Sequence, residues 1–283
     1  MQTRTIMSKN TILVTTATGN VGGHIVTLLL EQGFNVNALV RNPDSEAAQK
    51  LKAQGVTLFK GDFDDVPSIE AAAEGVYGVF INTVPNFANM DEYKHNSNII
   101  TAAKKAGAKI AVYMSVDVQE AGFDHWTIIR PAMFLSNFHT RLASYMWPLL
   151  QKEHKFVYSP LDLNYVFSVV DTLDVGKFCA APFWDTKTFD KQMIDLRTED
   201  VALSKLAEIM TKATGIPINA ELVSREEAKT KGVPDAAYQW EDWQVATGYK
   251  IDTERLKSFP IKLSSTEAYF DRNKDKAIQF LSQ

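Results

Sequence analysis

The spacing of the side chains able to move a proton rules out most familiar active sites in this chain. Tyr113 and Ser115 alternate along an apolar run, Lys109 to Met114, that reads as a strand. A period of two puts them on one face, with Ser115 at the strand's C-terminal end. A hydroxyl there can orient an acceptor or stabilise a developing oxyanion, and it acts as a true acid only with a cation beside it. None of the 9 tyrosines has a lysine four places on, and no lysine falls between Lys109 and Lys152. Ser115 therefore reads as an orienting donor, and Tyr113 as a second donor or a buried sheet residue. Asp117 and His125 are the other candidates nearby. His139, just after the turn Phe134 to Phe138, reads as a proton relay or a core histidine. The 5 histidines show no ligand spacing, and the 1 cysteine, Cys179, sits among Val175, Phe178 and Ala180 as a core helix position would. No metal site is expected. The absence of G-x-S-x-G leaves a hydrolase triad unsupported.

A different chemistry is written at the start of the chain. Ile12, Leu13 and Val14 form a short β-branched run that enters a turn containing Gly19, Gly22 and Gly23. Val21, Ile25, Leu28 and Leu29 then recur at helical spacing until Gly33. A strand, a glycine-rich turn and a helix N-terminus together make a phosphate cradle, because the turn lets backbone approach the anion and the helix offers free N–H groups. The dinucleotide fingerprint places glycine first in this turn, but the chain has Thr16 there. The next strand, Phe34 to Leu39, runs to Val40-Arg41, and Arg41 lies 22 residues past Gly19 with no acid before Asp44. An acid at this place accepts the ribose hydroxyls of NAD, whereas arginine faces the 2′-phosphate of NADP. NADPH is the cofactor this pattern favours. Asp62 follows the third strand, Val56 to Phe59, where it either meets the adenine side of a cofactor or organises the turn before the helix of Pro67 to Glu74.

These signals need an alternating frame, and the chain supplies one. Strands at Val76 to Ile81 and Lys109 to Met114 flank a helix from Asp91 to Ala106, and the loop with Asn86, Phe87 and Met90 is expected to overhang a bound dinucleotide. Trp126 to Arg130 is a further strand, with only ten residues between Ser115 and Trp126, which is short for a parallel crossover. Beyond it lie an aromatic helix from Phe138 to Leu150, a strand at Tyr165 to Val170, a helix opened by Asp171 or Thr172, and a helix from Ser204 to Ala213. A cluster of Tyr238, Trp240, Trp243 and Tyr249 reads as core or pocket lining. The expected architecture is α/β: a Rossmann-like parallel sheet flanked by helices over residues 1–155, and a smaller C-terminal α/β substrate lobe over 156–283, partly interleaved with the sheet.

At 283 residues the chain can bury a large core. Its net charge of -4 and lack of a basic block argue against nucleic acid. No apolar run reaches the roughly 20 residues of a membrane helix, and the first ten residues have no signal-peptide core. A cytoplasmic protein is expected, with monomer and homodimer both open.

The ordered set T-A-T-G-N-V-G-G, A-L-V-R-N-P, K-G-D-F-D-D, N-I-I-T-A-A-K-K-A-G-A-K, W-T-I-I-R-P-A-M-F-L-S-N-F and V-V-D-T-L-D-V-G-K-F resembles the NmrA-like group of atypical short-chain dehydrogenases/reductases. The resemblance spans about residues 11 to 215. It implies that Thr18, Gly19, Asn20, Val21 and Gly22 line the pyrophosphate beside Thr16, and that Arg41 reads the 2′-phosphate. It places Asp62 and Phe63 near adenine, and Thr83, Val84 and Pro85 near the ribose and nicotinamide. Two departures stand out. Thr16 replaces the first glycine, and the segment before W-T-I-I-R-P is shorter than the family's, which carries a helix that often brings a lysine to the nicotinamide. Three readings follow. One is an NADPH-dependent oxidoreductase acting on a small apolar or aromatic carbonyl or enone, as in secondary metabolism. The second is a dinucleotide-binding, redox-sensing regulator without catalysis. The third is a redox-neutral isomerase, cyclase or dehydratase on the same fold.

Overall fold

The computed structural model describes residues 10–83, 91–114, 121–158, 166–247 and 251–283. Its first half alternates strand and helix: β1 (Thr11–Val14), α1 (Asn20–Glu31), β2 (Asn35–Val40), α2 (Glu46–Ala53), β3 (Thr57–Lys60), α3 (Val66–Ala73), β4 (Gly78–Ile81), α4 (Glu92–Lys105), β5 (Ile110–Met114) and β6 (His125–Pro131). Ile12, Leu13 and Val14 are all fully buried, as a strand covered by helices on both faces must be. On α1 the buried residues are Val21, Gly22, Ile25, Val26 and Leu29, a single helical face turned to the sheet.

The second half contains β7 (Met133–Phe134), α5 (Arg141–Met146), β8 (Lys155–Tyr158), β9 (Val166–Val170), α6 (Thr172–Ala180), α7 (Thr186–Phe189), β10 (Gln192–Leu196), β11 (Glu199–Ala202), α8 (Leu203–Thr214), β12 (Asn219–Leu222), α9 (Arg225–Thr230), α10 (Ala236–Thr247), α11 (Thr253–Leu256) and α12 (Thr266–Leu281). A 7-stranded sheet has the order β10-β6-β5-β4-β1-β2-β3, and the pairings from β3 through β6 are all parallel. The fold is Rossmann-like. Strand order reverses between β1 and β4, and the crevice beyond the carboxyl ends of such strands is where open α/β sheets bind ligands. β6 pairs in parallel beside β5 with only ten residues, 115–124, between them. Phe123 of that connection is buried in the sheet's helix-covered core, and the Lys104 ammonium donates to the Gly122 carbonyl.

The chain forms two compact units. The first runs to Arg130 and takes in Val175–Ile194, while the second comprises Pro131–Asp174 and Asp195–Gln283. This differs from a division at 155/156. The chain leaves the sheet unit earlier and returns to it, because β6 needs the later segment: Thr127 Oγ1 donates to the Phe189 carbonyl at 2.8 Å, and Lys191 N donates to the Trp126 carbonyl at 2.8 Å. Cys179 is fully buried on α6, and burial pushes its thiol pKa well up, as befits an inert core residue.

The second unit has its own sheets, β11-β9-β7 and β12-β8. Its core is aromatic, with Phe138 stacked on Trp147 at 4.6 Å and edge-on to Phe156 at 5.9 Å. The expected helix from Phe138 to Leu150 is instead a 3-10 turn, Leu135–Phe138, followed by α5. The break falls at Thr140, whose backbone is extended. Buried Asp171 accepts from Leu173 N at 2.9 Å at the start of α6, and pairs with Arg272 of α12. Of the late aromatic cluster, Tyr238 is buried with Val223, Ala228 and Val233, while Trp243 is exposed; the Trp240 side chain and Tyr249 lie outside what is described.

Candidate cofactor-binding site

The site is built around one carbonyl, that of Thr16. The turn after β1 brings Gly19 N onto this oxygen at 2.9 Å. Gly22, in the first turn of α1, packs so closely that a Cβ there would sit 2.2 Å from the same oxygen and 2.8 Å from Ala17 Cα. Glycine at 22 is therefore a packing requirement, since backbone atoms of the turn cannot yield as a flexible side chain could. Gly19 occupies the N-cap in extended conformation, with no side chain capping the helix and no acid in its first turn. The N-terminal amides of α1 have no intrahelical partner by construction, and the helix dipole favours an anion there. Thr18, Gly19 and Asn20 are exposed at this helix end, and Val21 and Gly22 are buried behind them.

Thr16 has φ +51. The left-handed region is where glycine is at ease and a β-branched residue is not, which gives the physical reason for glycine at this place in the fingerprint. Here a side-chain bond holds the threonine instead: Asn82 Nδ2 donates to Thr16 Oγ1 at 3.0 Å. Asn82 itself is fixed by Thr15, whose Oγ1 accepts from Asn82 N at 2.8 Å and lies 2.8 Å from the Asn82 carbonyl. Asn82 and Thr15 were not among the residues singled out in the sequence. They stand 67 residues apart, and nothing local announces the pairing.

Arg41 follows the last residue of β2 and is exposed. Among the described residues the end of β2 carries no acid, the arrangement that suits a 2′-phosphate. Asp62 organises its turn, its Oδ1 accepting from Asp64 N at 2.9 Å and Asp65 N at 3.0 Å. Phe63 lies 5.7 Å from the His95 ring, and its carbonyl accepts from Asn98 Nδ2 at 2.9 Å. The ammonium of Lys94 and then His95 hold the Asp64 carboxyl below its ordinary pKa.

At the ends of β4 and β5 a buried polar chain appears. Thr83 Oγ1 donates to Asn96 Oδ1 at 3.2 Å, and Asn96 Nδ2 donates to the Tyr113 hydroxyl. Tyr113 is only 2% exposed. Ser115, Val84 and Pro85, along with Asp117, Asn86, Phe87 and Met90, fall outside the described residues. His139 belongs to the second unit, 7% exposed, with Nε2 2.7 Å from the Tyr269 hydroxyl. Burial, with the charge of Lys276 adding to it, lowers its pKa to about 4. The structure thus brings Thr16, Thr18, Gly19, Asn20, Val21, Gly22 and Thr83 to one end of β1 and β4, and leaves His139 in another unit. Among the described residues no group of histidine, cysteine and acids could hold a metal, and no helix is long and apolar enough to cross a membrane.

Known proteins resemble this chain in sequence and in fold. The model of the NmrA-like family matches residues 8–126. An NAD(P)H azoreductase of Xenophilus azovorans is 30% identical over 242 residues, 77% of this chain and 79% of that protein. The fold matches the crystal structure of a Citrobacter sp. triphenylmethane reductase complexed with NADP(H), with TM-score 0.71, 20% identity, and coverage of 93% of this chain and 99% of that one. It also matches NmrA, a negative transcriptional regulator, in complex with NADP, with TM-score 0.67, 21% identity, and coverage of 97% and 91%.

Proposed function

Because this chain belongs to the NmrA-like family, we propose that it is an NADPH-dependent oxidoreductase that reduces a small apolar or aromatic carbonyl or enone. The observation that carries the reading is the uncapped N-terminus of α1, set against the Thr16 carbonyl by two glycines and accompanied by Arg41 at the end of β2. These residues fit a dinucleotide phosphate: the cradle is backbone, positively polarised and free of acids, and its glycine at 22 cannot be replaced by a larger residue. Thr18 through Gly22 would hold the pyrophosphate and Arg41 the 2′-phosphate. Thr83 would lie toward the nicotinamide side, with Val84 and Pro85. When bound there, NADPH supplies a hydride. Ser115 is assigned the orienting of the acceptor's oxygen. Tyr113, two residues earlier on β5 and fixed by Asn96, braces that strand end and is too buried to meet a substrate directly. Asp62 and Phe63 shape the adenine side, with Asp62 acting through its turn. His139, neutral and bonded to Tyr269, takes no step in this reading.

A second reading rests on a specific observation. Tyr113 is enclosed, and no tyrosine-lysine pair accompanies it, which suits a protein that binds the dinucleotide and reports its presence to a partner. One assay separates the two. Purified protein is incubated with NADPH and a panel of quinones, enones and aromatic aldehydes, and loss of the reduced nicotinamide absorbance is followed. Acceptor-dependent oxidation supports the reductase. Tight NADPH binding with no oxidation across the panel supports the regulator.

A further inference from the structure

We infer that Asn82 is a positioning residue for the phosphate turn, latching the Thr16 side chain so that Thr16 keeps the left-handed conformation cofactor binding needs. The inference rests on the cofactor reading above and adds to it a residue that the glycine motif does not contain. Three observations converge. Thr16 sits at φ +51, where a β-branched residue does not stay unaided. Its carbonyl is the pivot of the cradle, bonded by Gly19 N at 2.9 Å and abutted by Gly22. A change of φ at 16 would therefore swing that carbonyl and unseat the amides of α1. Finally, Asn82 Nδ2 reaches Thr16 Oγ1 at 3.0 Å from the end of β4. The Asn82 backbone is itself tied to the fully buried Thr15, with Asn82 N donating to Thr15 Oγ1 at 2.8 Å. The latch thus spans β1 and β4, the two strands between which the sheet reverses order. A glycine at 16 would need no such device.

A double-mutant cycle read out by NADPH affinity tests this. Asn82→Ala in the otherwise native chain should weaken NADPH binding roughly tenfold, the scale of one lost hydrogen bond. Thr16→Gly should tighten binding, because glycine takes the left-handed conformation freely. In the Thr16→Gly background, Asn82→Ala should change affinity by less than about twofold. A merely structural Asn82 would cost the same in both backgrounds. Circular dichroism establishes that each variant folds, and Asn82→Leu, similar in size but without a donor, repeats the cycle if Asn82→Ala does not. Equal losses in both backgrounds, or no loss in the native one, overturn the latch while leaving the cofactor reading intact. A native protein that binds no NADPH overturns the cofactor reading, and the latch's role in binding with it.

Discussion

Thr16 and His139 are both held away from their ordinary preferences, and the reasons differ. A β-branched residue in the left-handed region costs on the order of 1–3 kcal/mol, and such strain persists only where neighbours over-determine it. At Thr16 those neighbours are Asn82, Gly19 and Gly22. At His139 the perturbation is desolvation: buried beside Tyr269 and Phe270, the ring is kept neutral, with its pKa lowered to about 4. A histidine whose pKa falls on folding stabilises the native state above its unfolded value, near 6.5, and loses that contribution as pH falls toward 4. On the order of 3 kcal/mol is at stake. Urea titrations from pH 7 to pH 4 should show stability falling over this window, and His139→Asn should flatten the fall. A native protein equally stable at pH 7 and pH 4.5 would show that His139 is not neutral through burial.

At the level of elements, the unit strand–turn–helix of β1 and α1 does most to define the site. Its glycines were legible in the sequence as a turn signal, and Gly22 marks an approach to the Thr16 carbonyl that leaves no room for a Cβ. Gly22→Ala would drive a methyl group to 2.2 Å from the Thr16 carbonyl, and overpacking of this kind typically costs 1–3 kcal/mol. NADPH binding should weaken at least tenfold, with a lowered melting temperature in the absence of cofactor; unchanged binding would mean that α1 is not seated on the turn as described. The parallel strands were legible too, since continuous apolar runs bounded by turn residues leave few alternatives. Less legible were the elements whose identity depends on distant partners. β7 is two residues long and exists because it pairs with β9. The aromatic segment Phe138 to Leu150 reads as one helix but breaks at Thr140, and Phe138 and Trp147 from either side of the break stack on each other. The Asn82 latch was invisible for the same reason, a contact 66 residues distant in sequence.

The whole chain is organised by return rather than by simple succession. Residues 175–194 come back to the sheet unit, where Phe183 packs against Gly78 so closely that a Cβ there would meet its ring at 2.8 Å, and Phe189 accepts from Thr127. A fragment of residues 1–155 lacks all of this. It should show a lost or broadened thermal transition compared with the full chain, and a cooperative transition at the native temperature would contradict the assignment. A boundary between the units could not be placed from local composition, because the segment that completes the sheet looks in sequence like any helix and strand of the later half.

If the turn of β1 and α1 holds NADPH with Arg41 on its 2′-phosphate, a fluorescence titration of the purified protein will show it. Binding should saturate with NADPH and be weaker with NADH. Arg41→Ala should weaken NADPH at least tenfold, as loss of a charge-assisted phosphate contact would, and leave NADH little changed. No binding of either nucleotide at millimolar concentration would contradict the account, and a variant that weakens both alike would remove Arg41 from the 2′-phosphate.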